Sequence, residues 1–532
     1  MKRWVIRWLT LIILFTSYRE CFPQRQADKE TRKLYSIEDP RYNSIIVARV
    51  GSHAITAQEF LLNYEFGPSF AKRENDSKRR YLNFMVYEKL LALDGYSRGV
   101  DASEEAKQML DEITGDLATE ELYKEDILKK VKVSGKSLQD GINKERVSLS
   151  VRWIYKRTKE EIVTQQRLLE DGISFDSLYS RQFTDSVKPD ERSMETTKFH
   201  LEIQNPILAR VLDTLAAGRI SGAIPAPDGF YILKVVNVSL NPLTTESETM
   251  KAREDVRRAL VQRRADSLSD RYVDQIIQGR QPAIVRRTFD ILEARLAKNI
   301  LSEQKYSEWK LNERLIDRWG SADYSLPDDS DTLVLLKGSV YRVHDFLRWF
   351  HAREYNLTLN SAAPELFFTS LEQLIWRMVR DRLLAERAYK RGFQRRDVVK
   401  KQLRWWNDKI VYKMVRSEIA ESIKYSDDKL KAYFEEHKKN YRDTKGEPIA
   451  YDSAKDEVLK DYYSFELTKR SVHKILKLKE KYGVRINEKA LNELYVDIEH
   501  DPRAIDVYAV KKGGVFPRPA FPTIDYEWQA WN

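Results

Sequence analysis

An internal repeat constrains the fold of this chain more than any other feature of its sequence. Residues 90–99 (LLALDGYSRG) recur as residues 383–392 (LLAERAYKRG), 293 positions later, with six of ten positions identical. Further along, residues 252–256 (AREDV) match residues 454–458 (AKDEV), and the offset has fallen to 202. The first copy therefore contains roughly 90 residues that the second lacks, which predicts a separate domain inserted into a repeated module.

Length and composition bound the class of protein. A chain of 532 residues is too long for one hydrophobic core, and 42% hydrophobic residues with 11% aromatics indicate globular folding. The 92 Lys and Arg residues are interspersed with 82 Asp and Glu residues, as in residues 156–161 (KRTKEE). Because no basic stripe or recognition motif accompanies this mixing, we expect no nucleic-acid partner. No group of His or Cys residues has metal-ligand spacing, so we predict no metal site.

Residues 1–21 have the layout of a secretory signal peptide. The basic segment MKRWVIR precedes a ten-residue apolar run, WLTLIILFTS, which is too short to span a bilayer. No small-x-small pair marks a cleavage site, so an uncleaved anchor stays open as an alternative. Cys21 is the single cysteine, and a chain with no other cysteine suits export to an oxidising compartment. Lipidation of Cys21 is a second route to membrane association. We therefore expect a periplasmic or other extracytoplasmic protein.

The repeated modules are predominantly helical. Each begins with a strand, a turn and a helix, and Thr56, Ser134 and Ser426 are predicted helix N-caps. We predict a mainly α chain with an α+β insert, in which the first of two related helical modules is interrupted. The predicted segments are a flexible leader (22–43), the first module (44–145 and, with a bridging helix and linker, 241–330), the insert (146–240), the second module (331–500) and an extended tail (501–532). The proline-rich tail is either a strap packed across a module or a partner-binding peptide.

The insert alternates β and α patterns, which predicts a small antiparallel sheet with helices. Five segments carry a family resemblance: WIYKRTKEE (153–161), DGISFDSL (171–178), FTDS (183–186), LAAGRISGAI (215–224) and DGFYIL (228–233). They resemble a parvulin-type peptidyl-prolyl isomerase domain. Together with its flanking helical segments, the chain resembles the SurA, PpiD and PrsA group of extracytoplasmic foldases.

The resemblance implies where an isomerase site would lie. The family's two histidines and its cysteine or aspartate fall on Trp153, Tyr231 and Ser186, and its apolar proline pocket includes the positions of Gln204 and Leu208. None of these five positions keeps the family's usual residue, and the paired glycines before the expected strand at Phe199 are replaced by ERSMETTK. The candidate catalytic positions are thus Trp153, Ser186 and Tyr231, and the candidate substrate-binding positions are Phe199, Gln204 and Leu208.

Prolyl isomerisation needs no cofactor, because the enzyme only has to stabilise a twisted amide whose rotation barrier is about 18–20 kcal/mol. Without the two imidazoles, the usual hydrogen-bond network around the cysteine or aspartate cannot form. We therefore expect an exported chaperone that holds unfolded or proline-containing exported polypeptides and has a degenerate isomerase site. Two alternatives stay open: an active isomerase that works through Tyr231 and Ser186, and a structural subunit of an envelope assembly complex.

Overall fold

A computed structural model describes most of the chain after residue 39. The described residues are 40–73, 76–184, 187–226, 228–242, 245–319, 329–353, 357–443, 446–496, 515–517 and 521–531. The predicted signal peptide, Cys21 and most of the predicted leader lie outside them. The chain divides into a smaller unit built around Asp126–Leu268 and a larger unit formed by Ala27–Glu125 with Ser269–Asn532.

Helices predominate, and the strands are short. The helices of the described ranges are α1 (Ala57–Phe66), α2 (Ser77–Ser97), α3 (Glu104–Asp126), α4 (Gly135–Glu145), α5 (Lys159–Glu170), α6 (Phe175–Ser180), α7 (Lys198–Gln204), α8 (Pro206–Leu212), α9 (Glu246–Arg280), α10 (Arg286–Ile300), α11 (Glu303–Trp309), α12 (Leu311–Trp319), α13 (Val343–His351), α14 (Pro364–Lys390), α15 (Asp397–Glu421), α16 (Asp427–His437), α17 (Tyr451–Tyr482) and α18 (Glu488–Asn492). The strands there are β1 (Ile46–Val50), β2 (His53–Thr56), β3 (Val147–Lys156), β4 (Ser193–Thr197), β5 (Ile224–Ala226), β6 (Gly229–Leu240), β7 (Ala283–Ile284), β8 (Thr332–Leu336), β9 (Ser339–Arg342) and β10 (Val484–Ile486).

The smaller unit contains a four-stranded antiparallel sheet in the order β4-β3-β6-β5. Side chains alternate between the two faces of each strand, and helices cover both faces where the middle of β3 pairs with the first half of β6. Ile154 and Ile232 pack beneath α5 and α6, whereas Trp153 and Leu233 face α8. The helix α5 begins at a reciprocal capping box formed by Thr158 and Glu161.

The expected strand at Phe199 is wrong. The strand β4 ends at Thr197, whose side chain accepts a hydrogen bond from the His200 backbone N–H and so caps α7, which contains Phe199. The N-caps predicted at Thr56, Ser134 and Ser426 are confirmed, since each side chain accepts a hydrogen bond from the backbone three residues later.

The larger unit contains two three-stranded antiparallel sheets of the same plan. Each has a hairpin with a two-residue turn, β1-β2 in one and β8-β9 in the other. Along β1 and β8 the burial is identical: partly buried, buried, buried, exposed, buried. The third strand of each sheet comes from the other copy of the repeat, because β1 pairs with β10 and β8 pairs with β7.

The hydrophobic cores follow this exchange of strands. One core combines α1 and α2 of the first copy with Val411 and Ile475 of the second, and another combines Phe289 and Leu292 of the first copy with α13 and α14 of the second. The structure thus differs from the expectation that 44–145 and 241–330 would share one core. Two equivalent hairpins present the same edge to two equivalent strands, so the repeat alone does not reveal which pairs form.

No helix in the parts of the chain that the structure describes is long and apolar enough to cross a membrane. The predicted bridging helix and linker (296–331) contain the end of α10 and two short helices, α11 and α12.

Candidate functional site

Three of the predicted site residues meet on one face of the four-stranded sheet. Trp153 on β3, Tyr231 on β6 and Leu208 on α8 belong to the same apolar cluster, with only 2%, 6% and 6% of their surfaces exposed. The adjacent strands place them together, because Tyr155 is the register partner of Tyr231 and Trp153 that of Leu233. The positions that would form an isomerase floor and pocket are therefore filled by side chains packed against one another.

The other three predicted residues do not join this cluster. Phe199 packs with Ile142 of α4 and Val256 of α9 in a separate cluster. Gln204 is exposed at the end of α7. Ser186 lies outside the described residues.

A pair of tyrosines and one aspartate form the polar part of the site. The rings of Tyr155 and Tyr231 lie 5.2 Å apart between centroids. The Tyr231 hydroxyl donates to the Asp228 carboxylate at 2.5 Å, and the Tyr155 hydroxyl donates to the Asp228 backbone carbonyl at 2.6 Å. Both phenols are thus held by the turn that precedes β6.

This environment disfavours proton transfer by Tyr231. Burial, followed by the hydrogen bond to Asp228, raises the pKa of Tyr231 far above the usual tyrosine value. Burial is also the main cause that raises the pKa of Tyr155. A phenol that stays protonated at neutral pH can donate a hydrogen bond but cannot serve as a general base.

The residues that complete this site were missed by the sequence reasoning. Gly229 allows the turn to approach Tyr155, and the Arg192 guanidinium lies over the Tyr155 ring, 5.3 Å from its centroid. The Gln182 side chain accepts from the Tyr155 backbone N–H at 2.9 Å and donates to the Trp153 carbonyl at 3.2 Å. The sequence DGFYIL at 228–233 indicates a turn followed by an aromatic strand. No sequence pattern near Arg192 or Gln182 indicates that these residues belong to the site.

The Trp153 indole has an unusual environment. Its Nε1 atom is buried, and within the described ranges it has no hydrogen-bond partner. An unmade hydrogen bond in an apolar cluster costs about 1–3 kcal/mol. The Trp153 indole is therefore held by packing alone, whereas an isomerase site of the resembled family would have a polar floor.

The second half of β6 differs from the first. Its residues are buried or partly buried up to Val235, and all of the last five, from Val236 to Leu240, are exposed. Val238 and Leu240 are two residues apart and share one face of the strand, where they expose 40% and 64% of their surfaces. The pairing with β5 covers only residues 229–231, so among the described strands none pairs with the outer edge of β6 at 236–240.

No group of three or more His, Cys, Asp or Glu side chains that could hold a metal ion occurs in the described part of the chain.

Comparison with known proteins yields likeness only at the level of solved structures. No protein-family model and no curated protein matches the chain. The chain is similar to the peptidylprolyl isomerase PrsA from Bacillus anthracis, with 14% identity over 36% of this chain and 96% of that chain, at a TM-score of 0.21. It is also similar to PrsA from Bacillus cereus, with 15% identity over 43% and 92% at a TM-score of 0.21. The foldase protein PrsA from Streptococcus pneumoniae is also similar, with 11% identity over 42% of this chain and 87% of that chain, at a TM-score of 0.21. TM-scores this low do not support a transfer of function from these proteins to this chain.

Proposed function

We propose that this protein is a foldase-type chaperone that holds exported polypeptides in extended form. More specifically, it uses a parvulin-like domain whose isomerase site has degenerated. The observation that carries the proposal is the division of β6 into two halves. Its first half packs Tyr231 with Trp153 and Leu208, at the positions to which the resemblance assigns an isomerase site, and its second half presents an apolar strand edge to solvent.

The first half supports the loss of isomerase chemistry. An isomerase must admit a prolyl ring beside groups that stabilise the twisted amide. Here Trp153, Leu208 and Tyr231 are buried in one cluster at the corresponding positions, and the Tyr231 hydroxyl is already bound to Asp228.

The second half supports client binding. An unpaired strand edge binds extended chains through main-chain hydrogen bonds, which read no particular sequence, and exposed apolar side chains add affinity. Val238 and Leu240 supply that apolar surface on one face, and Ser239 between them points to the other face. Unfolded exported proteins, with or without proline, have this chemistry.

The second candidate function is prolyl isomerisation by an unconventional site. It is favoured by the cluster of Tyr155, Tyr231 and Asp228, which places two phenols beside a carboxylate. Exchange NMR on an Ala-Pro peptide with the full chain separates the two candidates. We expect no acceleration of cis/trans exchange; acceleration that Tyr231→Phe abolishes would replace the proposed holding function with catalysis.

Client holding is tested with a matched pair of variants. Leu240→Asp places a charge on the apolar face of the β6 edge, whereas Ser239→Asp places the same charge one residue away on the other face. We expect Leu240→Asp to weaken binding of a labelled, permanently unfolded polypeptide at least fivefold, and Ser239→Asp to change it less than twofold, as measured by fluorescence anisotropy. Equal effects of the two variants would contradict binding at this edge.

A further inference from the structure

Residues 521–531 are seated on helices α1 and α2 of the first copy of the repeat and α15 of the second. Phe521 stacks on Phe66 at 5.1 Å between ring centroids. Trp528 stacks on Phe84 at 5.8 Å and on Tyr412 at 6.3 Å, and only 5% of its surface is exposed. Two aromatic side chains of this segment are therefore inserted among aromatic residues of α1, α2 and α15.

Polar side chains of the first copy bind the backbone of this segment. The Asn63 side chain donates to the Pro522 carbonyl at 2.8 Å and accepts from the Ile524 N–H at 3.0 Å. The Glu88 carboxylate accepts from the Asp525 N–H at 2.8 Å. Such contacts do not depend on the side chains of the bound segment, and they are how proteins grip extended peptides.

Two further contacts select particular side chains. The Glu88 carboxylate also accepts from the Trp528 Nε1 at 2.9 Å. The buried Lys409 ammonium lies 2.7 Å from the Asp525 carboxylate and 2.8 Å from Glu88. We call the surface formed by Asn63, Phe84, Glu88, Lys409 and Tyr412 the tryptophan slot. It is complementary to an acidic residue followed three positions later by tryptophan.

The second copy of the repeat explains why the slot exists. The helix N-caps Thr56 and Arg342 are equivalent, with an offset of 286, so Trp349 of α13 corresponds to Asn63 of α1. On the long second helices the offset is 293, so Asp381 corresponds to Glu88.

In the second copy the slot is filled from within. Trp349 is fully buried and its Nε1 donates to the Asp381 carboxylate at 3.2 Å. In the first copy the smaller Asn63 stands where Trp349 would, and Trp528 from the end of the chain makes the equivalent bond to Glu88. The same indole-to-carboxylate contact is therefore built into one copy and supplied by a separate segment in the other.

We propose that the tryptophan slot is a peptide-binding site whose resident ligand is the chain's own segment 521–531. Its external ligand is a segment of another polypeptide in which an acidic residue is followed three positions later, across one 3-10 turn, by tryptophan. The resident segment is present at the high effective concentration of an intramolecular ligand, roughly millimolar, so it limits binding until the competing peptide is abundant or its own hold is weakened. This site is in the larger unit and does not depend on the proposed β6 edge.

The test uses the full chain and a fluorescent peptide with the sequence of residues 521–531. We expect the wild type to bind it weakly and Trp528→Ala to bind it at least tenfold more tightly, because the resident segment then competes less well. A peptide with the Trp528→Ala change is expected to lose this binding. If Trp528→Ala stays folded by circular dichroism and binds no more tightly than the wild type, the slot is purely structural and the proposal fails.

The matched control closes the slot from within. Asn63→Trp combined with Trp528→Ala copies the arrangement of Trp349 and is expected to bind no peptide; binding equal to that of Trp528→Ala alone would overturn the proposal.

Should Trp528→Ala not fold, hydrogen exchange of the wild type with excess peptide replaces it, and unaltered exchange at Asp525 would contradict displacement. A concentration-dependent wild-type dimer that is lost in Trp528→Ala would assign the slot to a second copy instead and overturn the external-peptide proposal.

Discussion

At the scale of single residues, Gly229 sets how closely the turn before β6 approaches the tyrosine pair. Its φ of +150° lies in a region that side chains with a Cβ rarely adopt. A Cβ at Gly229 would stand 2.6 Å from Cε2 of Tyr155 and 2.7 Å from the Lys156 carbonyl. Both neighbours are fixed in the sheet, so neither can move away without disturbing the pairing of β3 with β6.

We expect Gly229→Ala to destabilise the four-stranded sheet by about 1–3 kcal/mol through this overpacking. The measurement is amide hydrogen exchange of β6 in the full chain. Gly222→Ala is the matched control, because a Cβ at Gly222 meets no atom within 4 Å. Equal loss of protection in the two variants would contradict the packing argument.

Features decided by neighbouring residues were predictable at this scale. Thr56, Ser134 and Ser426 cap helices because the cap depends only on the next three residues. The resemblance assigned Trp153 and Tyr231 to one candidate site, and the structure places both in one apolar cluster. Phe199 was misplaced because the cap at Thr197 ends β4 two residues earlier, and the sequence pattern does not separate a short strand from a helix of seven residues.

At the scale of elements, the exchange of third strands ties the two copies together. The register places Ala48 of β1 opposite Ile486 of β10, and Ile284 of β7 opposite Val334 of β8. Sequence offsets predicted the strand, turn and helix that begin each copy, and the burial patterns of β1 and β8 match, but the offsets did not predict β7 and β10. They could not predict the partners, because β7 and β10 are equivalent in sequence and each fits either hairpin edge.

Cross-linking tests the exchange directly. In a Cys21→Ser background, Ala48→Cys with Ile486→Cys is expected to form a disulfide on mild oxidation, since directly opposed residues have Cβ atoms about 4.5–5.5 Å apart. Ala48→Cys with Ile284→Cys is the control, which would cross-link only if each copy used its own third strand. Peptide mapping by mass spectrometry reads out both pairs, and the reverse result would refute the exchange.

At the scale of the whole molecule, the inserted sheet begins and ends at neighbouring points of the chain. Val147 and Leu240 are register partners at its two ends, and the Asn241 N–H donates to the Arg146 carbonyl at 2.7 Å. A domain whose ends adjoin is tolerated as an insertion because the host chain needs little rearrangement around it. This is the physical basis of the drop in repeat offset from 293 to 202.

Deleting residues 147–240 and joining Arg146 to Asn241 is expected to leave the larger unit folded, since neither of the cores that contain β1 and β8 includes a residue from this range. Amide protection of β1 and β8 should match the wild type. Loss of that protection would show that the inserted sheet is required for the host fold.

The strand exchange also fixes an order of events during synthesis. Val50 pairs with Val484, so at a translation rate of about 5–20 residues per second the nascent chain carries β1 with an open edge for roughly 20 to 90 seconds. The sheet of β7, β8 and β9 has all its strands once residue 342 is made. We therefore expect the sheet of β7, β8 and β9 to fold before the sheet that contains β1. Among the described strands β1 is made first, and its open edge is exposed to aggregation until β10, the last of them, is made.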